Sequence, residues 1–414
     1  MSGLVHGLAG IAGLLAIAIA CSEARSRISW RVVAAGLAAQ LAIAGLLLKV
    51  PAVKPLFMGL NRAVDALQSA TLAGTSFVFG YVGGGPAPFV LADPSKGFVL
   101  AFQALPLVLI MSALSALLYH WRILPLVVRG FAFALERLLG LGGAVGMSAA
   151  AMPFLGMIES PLLIRPYLAR LSRGELFVVM TGGMATIAGT VLVLYATFLS
   201  GIIPDPVGHL LTATLVSVPA AVMVAKMMVP DDARTGGHQT VHTAYGGSMD
   251  AVVRGTMDGL HLLGAIIAML IVLVALVHLA NGGLSLLPDV AGAPVTLQRI
   301  MGILLAPVAW AMGIPAEEMA AAGALMGTKT VLNELLAYLE LARLPEGVLS
   351  PRSRLIMTYG LCGFANLGSL GIMIAGLASM APERRGEIVA LGWRAMVSGT
   401  LSSCLTAATV GLLL

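Results

Sequence analysis

Charge is scarce in this chain. Only 10% of its 414 residues are Asp, Glu, Lys or Arg, against 59% hydrophobic residues and a mean hydropathy of +0.97. Side chains of that mix cannot cover a water-soluble globule, so soluble enzymes and soluble binding modules are excluded and a polytopic membrane protein remains. Cysteine is sparse too. Cys21, Cys362 and Cys404 are scattered in or beside apolar segments without CxxC spacing, which argues against a disulfide framework or a metal site and leaves packing as their role. No basic cluster points to nucleic acid; loop lysines and arginines near anionic lipid account for the net charge of +5. No GxSxG, HExxH or comparable nucleophile–base pairing lies in an apolar segment, so an intramembrane enzyme is not expected. Nor do rings of carbonyls or charges repeat as a channel would need.

What the chain has is apolar length. Runs of about 20 residues, enough to cross a bilayer, lie near 4–21, 30–50, 98–119, 175–200, 207–229, 257–281, 355–379 and 393–414. These predict eight spans in an all-α protein. Two further stretches are interrupted, 144–168 by Pro153, Gly156 and Glu159, and 316–342 by Gly327, Lys329, Asn333 and Glu334. Both read as re-entrant hairpins, whose non-helical backbone survives at membrane depth only where protein or a water-filled cavity satisfies it.

Basic residues orient the chain. With the N-terminus outside, the cytoplasmic side receives Arg25, Arg27, Arg31, Arg122, Arg129, Arg137, Lys226, Arg234, Arg254, Arg384 and Arg385, and the external loop 200–207 has none. Against this, Lys49, Lys54, Lys96, Arg343, Arg352 and Arg354 fall outside. Both termini are then periplasmic if the host is a bacterium, which the compact loops suggest. Met1 to Val5 carries no basic residue, so the first segment is expected to stay as a span instead of leaving as a signal peptide.

The chain also repeats itself weakly. Val179-Met-Thr-Gly-Gly183 recurs as Ile356-Met-Thr-Tyr-Gly360, each copy following a hairpin that contains a glutamate and leading into a Gly-rich helix. The first hairpin enters from the cytoplasm and the second from outside, so the repeats are inverted. Inverted repeats with broken helices mark secondary transporters, with substrate and coupling ion near the midplane. Chance matches between small residues are the alternative reading.

Glu334 is the most conspicuous side chain. An ionisable group at membrane depth costs roughly 2.5 to 3.5 kcal/mol on insertion scales, so it normally lines a cavity or substrate path. The structural alternative is a buried pair with Lys329. For Asn366 and Ser369 the alternative is satisfying freed backbone groups in a broken helix. His238 and His242 have i, i+4 spacing but sit in the polar loop 231–250, where a solvated role is expected over metal. His209, His261 and His278 are expected to hydrogen-bond to neighbouring helices.

Gly327-Thr-Lys-Thr-Val-Leu-Asn-Glu-Leu-Leu-Ala-Tyr338 resembles the GxKxxxNEFVAY signature of the concentrative nucleoside transporter family, with Leu335 where phenylalanine is usual. Gly74-Thr-Ser-Phe-Val-Phe-Gly80, Phe102-Gln-Ala-Leu-Pro106, Ser160-Pro-Leu-Leu-Ile-Arg-Pro-Tyr167, His209-Leu-Leu-Thr-Ala213, Ala306-Pro-Val-Ala-Trp310 and Leu361-Cys-Gly-Phe-Ala-Asn366 extend the likeness along nearly the whole chain. The resemblance implies a homotrimeric elevator-type transporter. In that scheme 1–143 contributes scaffold, 144–230 and 316–414 are the two hairpin repeats of the transport domain, and 231–315 supplies a cytoplasmic loop, a scaffold helix and an external interfacial segment. It further implies that Asn333, Glu334, Asn366 and Ser369 hydrogen-bond the sugar hydroxyls, that Phe364 packs against the base, and that Val191 and the first hairpin tip also belong to the substrate site.

That tip departs from the family. Sodium-coupled members present Gly-Gln-Thr-Glu where this chain reads Gly156-Met157-Ile158-Glu159, and Met152 stands where an asparagine ligates sodium. A hard cation needs several oxygens. The remaining candidates are backbone oxygens near Leu155 and Ile187, the Thr186 hydroxyl and Ser160. Weak or absent sodium coupling is expected, with a proton as substitute: Glu159, set among Met157, Ile158 and Leu155, could take one up in the working pH range. The rival readings are an ionised Glu159 that reads the base, sodium coupling through backbone oxygens, uniport, and a non-transporting nucleoside sensor. No cofactor or bound metal is expected. Base selectivity is open, with a broad or purine-leaning range favoured by the more apolar tip.

Overall fold

The computed structural model describes residues 3–89, 97–236, 245–290 and 292–414. Lys96, His238 and His242 lie outside the described residues, as does the side chain of Lys54. Apart from two isolated β-bridges, Val290 with Ala293 and Glu346 with Leu349, the regular structure described is helical.

Seven helical stretches among the described residues are long and apolar enough to cross a membrane: Gly3–Ala20, Trp30–Lys49, Leu100–His120, Arg173–Leu199, Pro206–Met228, Ser248–Leu284 and Pro382–Leu413. The eighth expected span, 355–379, is divided into Pro351–Leu361 and Leu367–Met380 with residues 362–366 unwound between them. Asn366 is the reason for the restart: its Oδ1 accepts from the Ser369 N–H at 2.8 Å, an N-cap that begins a new helix. The span at 173–199 is interrupted in the same place. Arg173–Ala185 stops, Thr186 and Ala188 are extended, and Gly189–Leu199 resumes.

Both hairpins are helix–turn–helix units. In the first, Gly143–Leu155 ends at Gly156, whose φ of 102° suits a residue without a β-carbon, and the chain returns through the short turns Glu159–Leu162 and Arg165–Leu168. In the second, Met319–Val331 is followed by Asn333, whose Oδ1 accepts from the Leu336 N–H at 3.0 Å and starts Glu334–Arg343. Each hairpin is followed by a broken helix and then by a long one, Pro206–Met228 or Arg385–Leu413.

Gly3–Ala20 and Trp30–Lys49 pack on the long helices of the repeats, and Trp30–Lys49 also on Ile123–Leu139. Gly36 lies against Met223, Gly7 against Leu412, and the Thr409 hydroxyl faces Gln40 Oε1 at 3.5 Å between buried faces. Small residues allow that approach. Leu107–His120 instead pairs closely with Ser248–Leu284, where Gly255 and Gly259 meet Ser112, Ala113 and Leu109.

Two of the basic residues that ran against the predicted orientation, Arg352 and Arg354, have structural work. Arg352 donates to the carbonyls of Gly313 and Gly411 at 2.8 and 2.7 Å, and Arg354 to those of Leu344 and Pro345 at 2.9 and 2.7 Å. Cationic groups near the end of a helix meet its unpaired carbonyls and the negative end of its dipole. His209 does bond across to a neighbouring helix, through Nδ1 to the Tyr359 hydroxyl at 2.8 Å. His261 and His278 do not follow that expectation and are exposed on Ser248–Leu284. Cys362 and Cys404 are buried and unpaired, and Cys21 is half-buried.

Candidate functional site

The site is built where the two unwound segments cross. The Phe364 N–H donates to the Thr186 carbonyl at 3.3 Å, so each break satisfies part of the other's backbone. Gly363 makes the crossing possible: a β-carbon there would stand 2.9 Å from the Ala185 oxygen. The hairpin tips converge on the same place. Met157 seats its β-carbon against Gly183, and Lys329 sends its Nζ to the Gly360 carbonyl at 2.9 Å and the Ser403 hydroxyl at 3.1 Å. Gly183 and Gly360 are equivalent positions of the repeated string.

A cavity of about 480 Å³ lies between these segments and the pair Leu107–His120 and Ser248–Leu284. It brings together Met157, Ile158, Glu159, Val191, Asn333, Glu334, Phe364, Asn366 and Ser369, every side chain expected to face substrate. From the tips it extends to Tyr119, Arg165, Tyr245 and Asp258, at the end that the charge distribution assigns to the cytoplasm.

One end of the cavity is densely hydrogen-bonded. Glu334, buried to 5% exposure, accepts from the Asn366 Nδ2 through Oε2 and from the Tyr195 hydroxyl through Oε1, both at 2.7 Å. Asn333 and Asn366 each commit Oδ1 to a helix cap, which leaves Nδ2 protons directed elsewhere. The buried pair of Glu334 with Lys329 is not found. Lys329 is fully buried but is held by Gly360 and Ser403, and no Lys329–Glu334 contact within salt-bridge distance occurs among the described residues.

The opposite end mixes apolar side chains with Glu159, Arg165 and Asp258. Glu159 is reachable from the cavity, with Met157 and Ile158 half-buried beside it and Asp258 also in the lining. Ile158 lines the cavity yet drives its Cδ1 into the notch left by Gly376, fastening the tip to Leu367–Met380.

Of the oxygens proposed for sodium, those of Thr186 and Ile187 are engaged in hydrogen bonds. Met152 is fully buried with its sulfur in the notch at Gly182. The Thr186 hydroxyl donates to the Gly182 carbonyl at 2.9 Å, the Thr186 carbonyl serves Phe364, and the Ile187 carbonyl accepts from Thr214 at 3.2 Å. Leu155 lines the cavity; Thr186 and Ile187 lie behind it. Ser160 is fully buried, and its hydroxyl has no hydrogen-bond partner among the described residues.

Sequence reasoning missed Tyr195 and Thr214. Tyr195 falls one helical turn after Val191, and that spacing was the available signal.

Three family models match consecutive parts of the chain: the N-terminus of the Na+ dependent nucleoside transporters over residues 9–82, a nucleoside recognition (Gate) region over 101–201, and the transporter C-terminus over 209–411. The uncharacterized transporter YutK of Bacillus subtilis is 36% identical over 418 residues, covering 99% of both chains. The chain belongs to the concentrative nucleoside transporter family. Within it, the nucleoside permease NupC of Helicobacter pylori is 34% identical over 99% of this chain and 97% of its own, and human sodium/nucleoside cotransporter 1 is 32% identical over 98% of this chain and 63% of its own. The structure of CNTnw in an inward-facing substrate-bound state superposes with a TM-score of 0.90 at 35% identity, covering 99% of this chain and 97% of that one. A CNTnw variant in an outward-facing state also gives 0.90, at 34% identity over 100% and 98%. The protein is thus a nucleoside transporter and not an enzyme.

Proposed function

We propose that this transporter imports nucleosides across a bacterial inner membrane by symport with protons, as a homotrimer with both termini periplasmic. The observation that carries the coupling ion is Met152, fully buried with its sulfur at Gly182 where the family places an oxygen ligand. The engagement of the Thr186 and Ile187 oxygens supports the same reading. Glu159 is the carrier candidate, because it is the carboxylate at the hairpin tip with open access to the cavity. Its protonation and the bound nucleoside must favour the same closed arrangement for a gradient to drive uptake.

The sugar is assigned to Asn333, Glu334, Asn366 and Ser369. A ribose hydroxyl both donates and accepts, and a carboxylate beside amide N–H groups matches that chemistry. The base is assigned to Phe364, Val191, Met157 and the hairpin tip. The tight packing of Gly3–Ala20 and Trp30–Lys49 on the repeats supports a moving unit that includes them, with Leu107–His120 and Ser248–Leu284 as the fixed wall and the cavity as the boundary. Extension of the cavity towards Tyr119 and Tyr245 favours an inward-facing state.

One observation favours a second reading of Glu159. Its exposure suits an ionised carboxylate that accepts hydrogen bonds from the base. The main reading is tested by uridine affinity of the purified protein in sodium and in choline chloride. Equal affinities are expected, and Met152→Asn with Met157→Gln and Ile158→Thr should introduce sodium dependence. Tighter binding in sodium by the unaltered protein would refute it.

A further inference from the structure

Beside the sugar-side group stands a residue that no motif singles out. Tyr195 lies on Gly189–Leu199 in the first repeat, whereas Glu334 and Asn366 belong to the second. Its hydroxyl donates to Glu334 Oε1 at 2.7 Å, and its ring lies 5.0 Å from the ring of Tyr338 at an interplanar angle of 35°. It lines the cavity at only 2% exposure. Tyr338 is itself tethered, its hydroxyl donating to the Thr358 carbonyl at 2.8 Å. The phenol is therefore fixed at both ends, and so is the carboxylate it meets: Asn366 holds Oε2 at 2.7 Å while its own Oδ1 caps a helix.

A carboxylate offers about four lone-pair directions. Two are taken here, one on each oxygen. The remaining directions are those a ligand hydroxyl can use, and their orientation is set by the two donors already in place.

We infer that Tyr195 is a positioning residue for sugar recognition: by holding Oε1 it fixes the rotation of the Glu334 carboxylate and the acceptor direction left for a sugar hydroxyl. The inference rests on the proposed role of Glu334 in binding the sugar. It also makes the site a joint product of both repeats, since hairpin and broken helix of the second repeat are oriented by a hydroxyl of the first. Without that hydroxyl only Asn366 restrains the last torsion of the carboxylate, which is broad and roughly two-fold.

Tyr195→Phe keeps the ring against Tyr338 and removes only the hydroxyl. Competition binding should be measured for uridine, 2′-deoxyuridine and 3′-deoxyuridine on the purified full-length protein. A hydrogen bond to a charged group corresponds to a loss of about tenfold or somewhat more. Uridine should weaken by that factor, and its advantage over at least one deoxy analogue should shrink about tenfold. Equal weakening of all three, or of none, would overturn the inference, because a merely structural role moves them together. A second arm is independent of ligand: Tyr195→Phe and Glu334→Gln are combined and thermal unfolding is followed without nucleoside. Non-additive effects are expected, and additivity would overturn the pairing. If the unaltered protein binds no nucleoside, the sugar assignment fails while the second arm still decides whether Tyr195 holds Glu334.

Discussion

A polar side chain at membrane depth has to be satisfied locally or kept for a ligand, and the asparagines of this site do both. Asn333 and Asn366 start helices with Oδ1, so their position is set by backbone geometry before any substrate arrives. Glu334 is oriented in turn by Asn366 and Tyr195. The carboxylate is the acceptor on which this end of the cavity depends, so Glu334→Gln should abolish measurable uridine binding while leaving an extractable, folded protein. Titration calorimetry checks this, and unaltered affinity would remove Glu334 from the site. Lys329 differs in kind. Its ammonium is enclosed by a carbonyl and a hydroxyl and binds the second hairpin to Pro351–Leu361 and the C-terminal helix, which makes it a fastening of the fold.

At the scale of the element, the two broken helices are what turn an apolar bundle into a binding site. Each unwound segment leaves backbone groups without helical partners, and their mutual crossing satisfies some of them through Phe364 and Thr186. Gly363 sits where no side chain fits, 2.9 Å from the Ala185 oxygen in the position of a β-carbon. Both neighbours there are backbone, so neither can rotate away. Gly363→Ala should therefore destabilise the protein by about 1–3 kcal/mol, as overpacking does, and weaken nucleoside binding because Phe364 is displaced. Thermal unfolding together with uridine titration checks both. Unchanged stability would mean that the crossing has slack that the geometry does not suggest. Ile158 in the notch of Gly376 makes a comparable fastening between the first hairpin and Leu367–Met380, in place of the hydroxyl that the family resemblance led one to expect.

Over the whole molecule, what the sequence discloses depends on how long a signal is. Apolar runs of twenty residues reveal crossing segments, and long ordered motifs reveal the family. Breaks of three to five residues inside such runs are nearly silent: Thr186-Ile187-Ala188 carries no proline or glycine, and the interruption of 173–199 emerges from partners such as Thr214 and Phe364. Tyr195 was hidden for a related reason. An aromatic in an apolar helix reads as core until the opposing carboxylate is placed beside it. The grouping of the first two helices with the repeats was also beyond sequence, since it depends on the fit of Gly36 and Gly7 to side chains far along the chain. The nine expected substrate-facing residues are legible because motifs carry them, and the cavity gathers them in one place.

What remains to be tested at this scale is the driving ion. The most direct measurement is uptake of radiolabelled uridine into proteoliposomes, with an imposed proton gradient and an imposed sodium gradient applied separately. The donor set around Met152 and Thr186 predicts accumulation above equilibrium with the proton gradient alone, and none beyond equilibrium with sodium alone. Accumulation driven by sodium without a proton gradient would contradict the account.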